Sequence, residues 1–349
     1  MTLRIQEPRA PQLADAEAVG GPVPVASSPS PVSTVRRFLT GRGSSAMADS
    51  TFRWLMLACA LSVFVIVALI ATELVKSSQL TLAKFGIKFF FGSAWDPVSE
   101  NFGALPFVYG TLVSSLVALV IAVPLAVGVA VFLTEMCPKS LRGVLSFLTE
   151  LLAAIPSVVY GLWAIFVLVP LLRTYVDPLL IKLLGWTGLF VAPDFGIGMF
   201  AAGVILAIMI LPIISSLTRE VMTAVPHAQR EAVLALGATR WEMIRMGVLR
   251  NARIGIVGSI ILGLGRALGE TMAVAMVIGS SPTISKSLLA PASTMASVIA
   301  NEFAEAADDT YRSALIEIGL ALFLVTIVVN VCARLLVWAV TRGAPARVT

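Results

Sequence analysis

Two ionisable residues stand where hydrocarbon is expected. Arg266 and Glu270 lie inside the apolar run Ile254 to Ser280, IGIVGSIILGLGRALGETMAVAMVIGS. Roughly 20 apolar residues suffice to cross a bilayer, so the run reads as a span. Arg266 lies about 18 Å along it at ~1.5 Å per residue. A central arginine costs about 2.5–3.5 kcal/mol on insertion scales, and it is tolerated where it meets a partner or a water-filled path. Ser259, Gly263, Arg266 and Glu270 follow steps of four, three and four, which places them on one stripe of a helix. That stripe is small or polar throughout and reads as the lining of a path. Thr271 adds a hydroxyl beside it. Gly265 and Gly269 fall on an adjacent face and read as a seam where a second helix approaches closely. An ion pair within or between helices, with no role toward a substrate, accounts for the same charges, and packing accounts for Ser259 and Thr271.

The composition says what must hold these residues. The chain is 58% hydrophobic and 13% charged, with a mean hydropathy of +0.94. Soluble domains carry about 25% charged residues, so this is an all-α polytopic membrane protein. The net charge of +5 reads as loop bias rather than nucleic-acid binding. Six spans are expected: about Trp54 to Val75, Phe107 to Leu133, Val144 to Leu172, Ile197 to Leu217, Ile254 to Ser280, and Ser313 to Val340. Lys and Arg then divide unevenly. Six precede the first span, two lie in the loop near Lys139, six in the loop 218–253 and three at the C-terminal end, against seven in the alternate loops. By the positive-inside rule both termini are cytoplasmic.

Residues 1–46 form a Pro-, Ala- and Ser-rich tail that reads as disordered and lacks the apolar segment of a signal peptide. The membrane domain covers 47–342, and 343–349 form a short C-terminal tail. Cys59, Cys137 and Cys332 lie far apart and read as inert thiols. His227 is the only histidine, so no metal site is expected. Within the third span, Pro156 is expected to bend the helix, with Ser157 bonding to the freed carbonyl. Glu150 lies early in that span, either as a residue of the path or as a carboxylate in the first helical turn. Asp177, Pro178 and Lys182 are expected in the following outside loop.

The loop 218–253 reads as helix, glycine turn, helix. Pro226 opens the first helix, Gly237 permits the left-handed turn that reverses the chain, and Trp241, Met243, Ile244 and Met246 give the second an amphipathic face. Glu231, Ala232 and Gly237 resemble the EAA loop of ABC-importer permeases, which docks as a coupling helix into a cleft of a cytoplasmic ATPase. GLGRALGETMAV at 263–274, AAIPSVVYGLW at 153–163 and SVIANEF at 297–303 resemble the permease family of phosphate-specific (Pst) importers, PstC type. The resemblance covers about residues 50–342.

It implies a type I ABC-importer permease fold with six transmembrane helices in the bacterial plasma membrane. The chain would form half of a phosphate path. It also implies a second permease resembling PstA, a homodimeric ATPase resembling PstB and an extracytoplasmic phosphate-binding protein resembling PstS, besides membrane lipid. Phosphate carries between one and two negative charges near neutral pH. The planar guanidinium of Arg266 fits its oxygens and stays charged, and Glu270 one turn on would partly neutralise Arg266 while the path is empty. The chain binds no cofactor itself, having no G-x-x-x-x-G-K-[ST] loop, and ATP-Mg belongs to the partner ATPase. The same fold could instead serve molybdate or sulfate. An ATP-independent channel or secondary carrier has no use for the loop 218–253, and no nucleophile and base constellation supports an enzyme.

Overall fold

The structure is a computed structural model that describes residues 45–191 and 195–341. The tails expected over 1–46 and 343–349 lie outside the described residues, save Ser45 and Ala46, which already belong to the first helix. Residues 1–65 and 66–349 form two units. The described part of the first is the apolar opening of helix α1 (Ser45–Ser77), and all later elements belong to the second. Among the described residues, six helices are long and apolar enough to cross a membrane: Ala48–Ser77, Leu105–Met136, Ser157–Thr187, Met199–Thr223, Arg240–Leu268 and Asp309–Trp338.

The centre is the pair α4 (Leu105–Val131) and α8 (Met199–Thr223). Ser114, Ala118, Ala122, Ala126 and Ala130 recur every four residues along α4 and are all buried. Spacing of four aligns them on one helical face, and small side chains let a second backbone approach. Helix α8 meets α4 closely at Gly203, where a Cβ would run into Val117, and it buries Ile205, Leu206, Ile210 and Ile214 in the core. On its other side α8 packs against α11 (Arg250–Leu268), where Thr218 Oγ1 and Ser259 Oγ hydrogen-bond at 2.9 Å. The last span is α14 (Asp309–Thr341), which follows the short α13 (Met295–Glu302).

Short elements close one end. After α1 come α2 (Gln79–Phe85), α3 (Lys88–Phe91) and a two-stranded hairpin, β1 (Trp95–Asp96) with β2 (Asn101–Phe102). The hairpin pairs Trp95 with Phe102 and Asp96 with Asn101. Trp95 Nε1 donates to Glu302 Oε2 at 2.9 Å, and Tyr311 Oη donates to the same oxygen at 2.6 Å. In the hairpin turn the Ser99 hydroxyl, and then the Val98 N–H, donate to Asp96 and hold its carboxyl below the usual range. The segment 279–294 lies across this end. Tyr109 Oη donates to the Ser285 carbonyl at 2.9 Å, and Phe200 N–H donates to the Leu288 carbonyl at 2.8 Å. At Gly110 a Cβ would run into the Ser293 carbonyl, so only glycine lets α4 and this segment touch.

Two expected spans are not continuous. Pro156 ends the helix rather than bending it. Helix α5 (Lys139–Ala153) stops, residues 154–156 leave helical geometry with Pro156 at ψ 142°, and α6 (Ser157–Trp163) begins afresh. The cause is proline's restriction of its predecessor together with its own missing donor. From α6 the helix runs on through two widened turns, Ala164–Leu168 and Leu172–Val176, into α7 (Asp177–Leu184). Asp177, Pro178 and Lys182 are thus helical, not in a loop, because Pro178 occupies the first turn of α7, where a missing N–H is tolerated. The fifth span starts earlier than Ile254, as α10 (Arg240–Glu242) leads through Met243–Leu249 into α11. It also ends earlier, at Leu268, before a separate helix α12 (Met272–Val277). The connection expected over 218–253 shrinks to 224–239, which carries α9 (His227–Ala235).

Candidate functional site

The two broken spans meet each other. Helix α12 packs on α6, and Gly161 is the point of contact: a Cβ there would lie 2.5 Å from Met276 Sδ and 3.2 Å from Ala273 Cα. The breaks at 154–156 and 269–271 therefore lie on neighbouring segments, each leaving backbone groups outside a helical ladder. In a membrane such groups are tolerated where they are buried in protein or line a cavity, and broken helices commonly form solute sites.

Arg266 sits in the last turn of α11, exposed, and within electrostatic reach of the Tyr160 ring. Among the described residues it makes no ion pair and no hydrogen bond. Tyr160 Oη donates to the Leu152 carbonyl at 2.8 Å, so one side chain ties α5 to α6 across the proline break. Ser157 opens α6, where the first N–H groups of a helix have no intrahelical acceptor and carry partial positive charge. The expected bond from the Ser157 hydroxyl to a freed carbonyl is not formed among the described residues. Among the described residues this leaves an unpaired guanidinium at the edge of the break 269–271.

Glu270 does not neutralise Arg266. The helix ends at Leu268 and Gly269 leaves it at φ −97°, ψ 2°, so Glu270 loses the one-turn position that spacing assigned to it. Its Oε1 instead accepts from the Ala273 N–H at 3.4 Å, at the start of α12. Thr271 stays in the same break and donates to the Gly269 carbonyl at 3.3 Å.

Ser259 is elsewhere. It is buried, donates to the Ile256 carbonyl at 2.7 Å and meets Thr218 of α8. Gly263 likewise packs on Ile214, where a Cβ would lie 2.7 Å from Cδ1. Half of the stripe expected to line a path, Ser259 and Gly263, is therefore a packing seam, and Arg266 stays exposed. Gly265, expected in the seam, has nothing within 4 Å of a Cβ position, and the same holds for Gly258. Glu150 is also distant from Arg266 in role: its Oε1 accepts from Arg219 at 2.7 Å. The pair lines a cavity of about 550 Å³ with Ser216, Glu220 and Thr223, near the end of α8.

The connection 224–239 takes the expected form. Pro226 precedes α9, and Gly237 adopts φ +82°, a left-handed conformation that suits glycine. Glu231, Ala232 and Gly237 are exposed, as are Leu236 and Trp241 beyond them. Met243 and Ile244 turn inward and are buried. A capping box fixes the next helix: Glu242 Oε2 accepts from the Thr239 N–H at 2.8 Å, and Thr239 Oγ1 accepts from the Glu242 N–H at 3.4 Å. The T-x-x-E spacing of Thr239 and Glu242 signals this.

Residues 122–343 match the family of binding-protein-dependent transport system inner membrane components. The chain belongs to this family. It is 47% identical to the phosphate transport system permease protein PstC of Mesorhizobium japonicum, over 86% of this chain and 91% of the relative. It is 45% identical to the protein of the same name from Haemophilus influenzae, over 83% and 93% respectively. Its fold also resembles a chain in a crystal structure of a bacterial ABC transporter involved in the import of alginate, with a TM-score of 0.57, 18% identity, and coverage of 85% of this chain and 99% of that one. The chain is thus a PstC-type permease and a multi-pass protein of the bacterial inner membrane.

Three features escaped the sequence reading. Tyr160 was legible only as part of a motif, since its partners are Leu152 and Arg266. Arg230 and Glu135 form an ion pair across 95 residues, for which no local pattern exists. Glu317 of α14 is fully buried, and among the described residues neither carboxyl oxygen has a hydrogen-bond partner. An acid inside the apolar run SALIEIGLAL was a signal in itself.

Proposed function

We propose that this chain is the permease subunit of an ATP-driven phosphate importer, forming half of the translocation path, with Arg266 as its anion-attracting residue. The Arg266 guanidinium, with no ion pair or hydrogen bond among the described residues and in the last turn of the fifth span next to the break at 269–271, carries this reading. A dianion or monoanion of phosphate passing the two helix breaks would meet five N–H donors in a planar fork. The curated relatives are named as phosphate transport permeases, which favours phosphate over molybdate or sulfate. Glu270 stands close enough in sequence to act on the same anion but is bound to the backbone of α12, so its carboxylate sets the break rather than cancelling the arginine. Thr271 and Ser157 are candidate hydroxyl contacts at the two breaks.

In this reading the end bearing 224–239 is cytoplasmic, together with both chain termini. An ATPase homodimer resembling PstB docks on Glu231, Ala232 and Gly237, and hydrolyses ATP-Mg. A second permease resembling PstA completes the path, and a binding protein resembling PstS delivers phosphate on the opposite side. The exposed apolar residues Leu236 and Trp241 beside a rigid glycine turn support docking at this loop.

The test is uptake of labelled phosphate, with sulfate as control, by cells lacking high-affinity phosphate import that express this chain with its partners. Wild type is expected to take up phosphate and not sulfate. Arg266→Gln, assembled normally, is expected to lose at least nine-tenths of that uptake. Wild-type uptake in Arg266→Gln would remove Arg266 from the path, and no phosphate uptake by assembled wild type would refute the substrate.

A further inference from the structure

One guanidinium joins three elements at the loop end of the molecule. Arg230 lies on α9, yet its side chain points away from the exposed face of that helix and is only 11% exposed. Its Nη1 donates to the Val225 carbonyl at 2.6 Å, and its Nη2 donates to the Met222 carbonyl at 2.9 Å. Both acceptors lie at the end of α8 or just beyond it, where the partial charge is negative; the Met222 carbonyl also accepts from the Val225 N–H at 3.2 Å, so Arg230 adds a second donor to it. Nη2 also reaches Glu135 Oε1 at 3.1 Å, on the widened turn Phe132–Met136 that ends α4. The Glu135 side chain is 9% exposed. On its other flank α9 rests on Gly247, where a Cβ would sit 3.5 Å from both the Gln229 carbonyl and Val233 Cγ2.

We propose that Arg230 is the strut that carries motion of α9 into the membrane helices, a positioning residue for coupling. This rests on the reading that an ATPase docks on 227–237. A guanidinium is a rigid planar fork, and its bonds to a carboxylate and two carbonyls fix direction as well as distance. Pushing α9 must therefore move the ends of α4 and α8 together. Helix α8 is bonded to α11 through Thr218 and Ser259, and α11 ends in the turn that holds Arg266. The side chain at 230 thus connects the docking helix to the break in the fifth span through bonded and packed elements, without touching either ATP or phosphate.

The test uses the full assembled complex. Spin labels are placed at Met136→Cys and Ala228→Cys, both exposed and apart from the docking residues Glu231, Ala232, Leu236 and Gly237, with Cys59, Cys137 and Cys332 changed to Ser. The distance between labels is measured with and without ATP, so the readout is independent of which solute is carried. With Arg230 intact a single narrow distribution is expected in both states. Arg230→Met, which keeps the aliphatic stem, is expected to at least double its width and to lower solute transported per ATP at least tenfold. Glu135→Gln keeps both carbonyl bonds, and is expected to give a smaller broadening and about a threefold loss. A distribution as narrow as wild type in assembled Arg230→Met, or an unchanged transport ratio, overturns the strut. Should Arg230→Met fail to assemble, Glu135→Gln decides by the same measurements: broadening supports the strut and wild-type width overturns it. Absence of phosphate uptake by wild type would count against the substrate alone.

Discussion

Two glycines three residues apart on α11 give opposite expectations for the same substitution. At Gly255 a Cβ would lie 2.6 Å from Val221 Cγ2 and 3.0 Å from Val221 Cβ. Valine is stiff at χ1, and its Cβ is fixed to the backbone of α8, so a rotamer change cannot clear the clash. Gly255→Ala must push α11 away from α8. Overpacking of this kind costs about 1–3 kcal/mol. At Gly258 a Cβ would meet nothing within 4 Å. Both substitutions gain the same helix propensity, at most ~1 kcal/mol, so their difference isolates the clash. With an unfolding entropy of about 2.1 cal/mol/K per residue, Tm of a chain of 349 residues moves by roughly 1.4 °C per kcal/mol, so Gly255→Ala should melt about 1–4 °C below Gly258→Ala. The assay is thermal unfolding of the purified chain without partners, followed by a thiol-reactive dye. Cys137 is buried and reports unfolding, and the exposed Cys59 and Cys332 are changed to Ser in both variants. Equal melting temperatures, or a lower one for Gly258→Ala, would refute the assignment of the packing seam.

Ser259→Ala tests the same seam from its polar side. Losing an interhelical hydrogen bond in a membrane costs about 0.6–2 kcal/mol, so the purified variant should be slightly less stable while the KM for phosphate uptake stays at the wild-type value; a raised KM would return Ser259 to the path. Gly237→Ala tests the turn after α9: its Cβ would meet nothing within 4 Å, so the penalty is the left-handed backbone alone, about 1–2 kcal/mol. Titrating the ATPase onto the permease pair should show binding weakened about 5–30-fold, with Gly237→Asn less affected, and unchanged affinity for Gly237→Ala would show that docking does not need this conformation.

The spans were legible because a bilayer demands long apolar runs, and the runs near Ala48, Leu105, Met199 and Asp309 all became helices. The breaks were less so. Pro156 announced a disturbance, but whether a helix bends or stops there depends on what covers the freed groups, here Tyr160 reaching back to Leu152. The break at 269–271 hides within an apolar run whose only local sign is Gly269. Periodicity placed Ser259 and Gly263 correctly on one face of α11, yet it could not say what that face meets. Val221 and Ile214 of α8 decide that, and they lie dozens of residues away in the chain. Glu150 and Arg230 show the same limit for charges, since their partners Arg219 and Glu135 are distant in sequence. The turn at Gly237 was legible because helix termination is written in neighbouring residues.

The contact at Gly110 also sets an order in time. The hydroxyl of Thr111 accepts from the N–H of Met295, a residue 184 positions later, and the Ser293 carbonyl lies against the bare face of Gly110. Chains emerge from the ribosome starting at the N-terminus, at about 5–20 residues per second. Helix α4 therefore enters the bilayer roughly 10–40 s before the strand of backbone that completes it has been made. Through that interval the notch at Gly110 and Thr111 faces lipid or a chaperoning surface. A ribosome stalled between 250 and 290 would leave a nascent chain with its first spans made and this contact unclosed, so α4 cannot reach its final packing until translation has passed Met295.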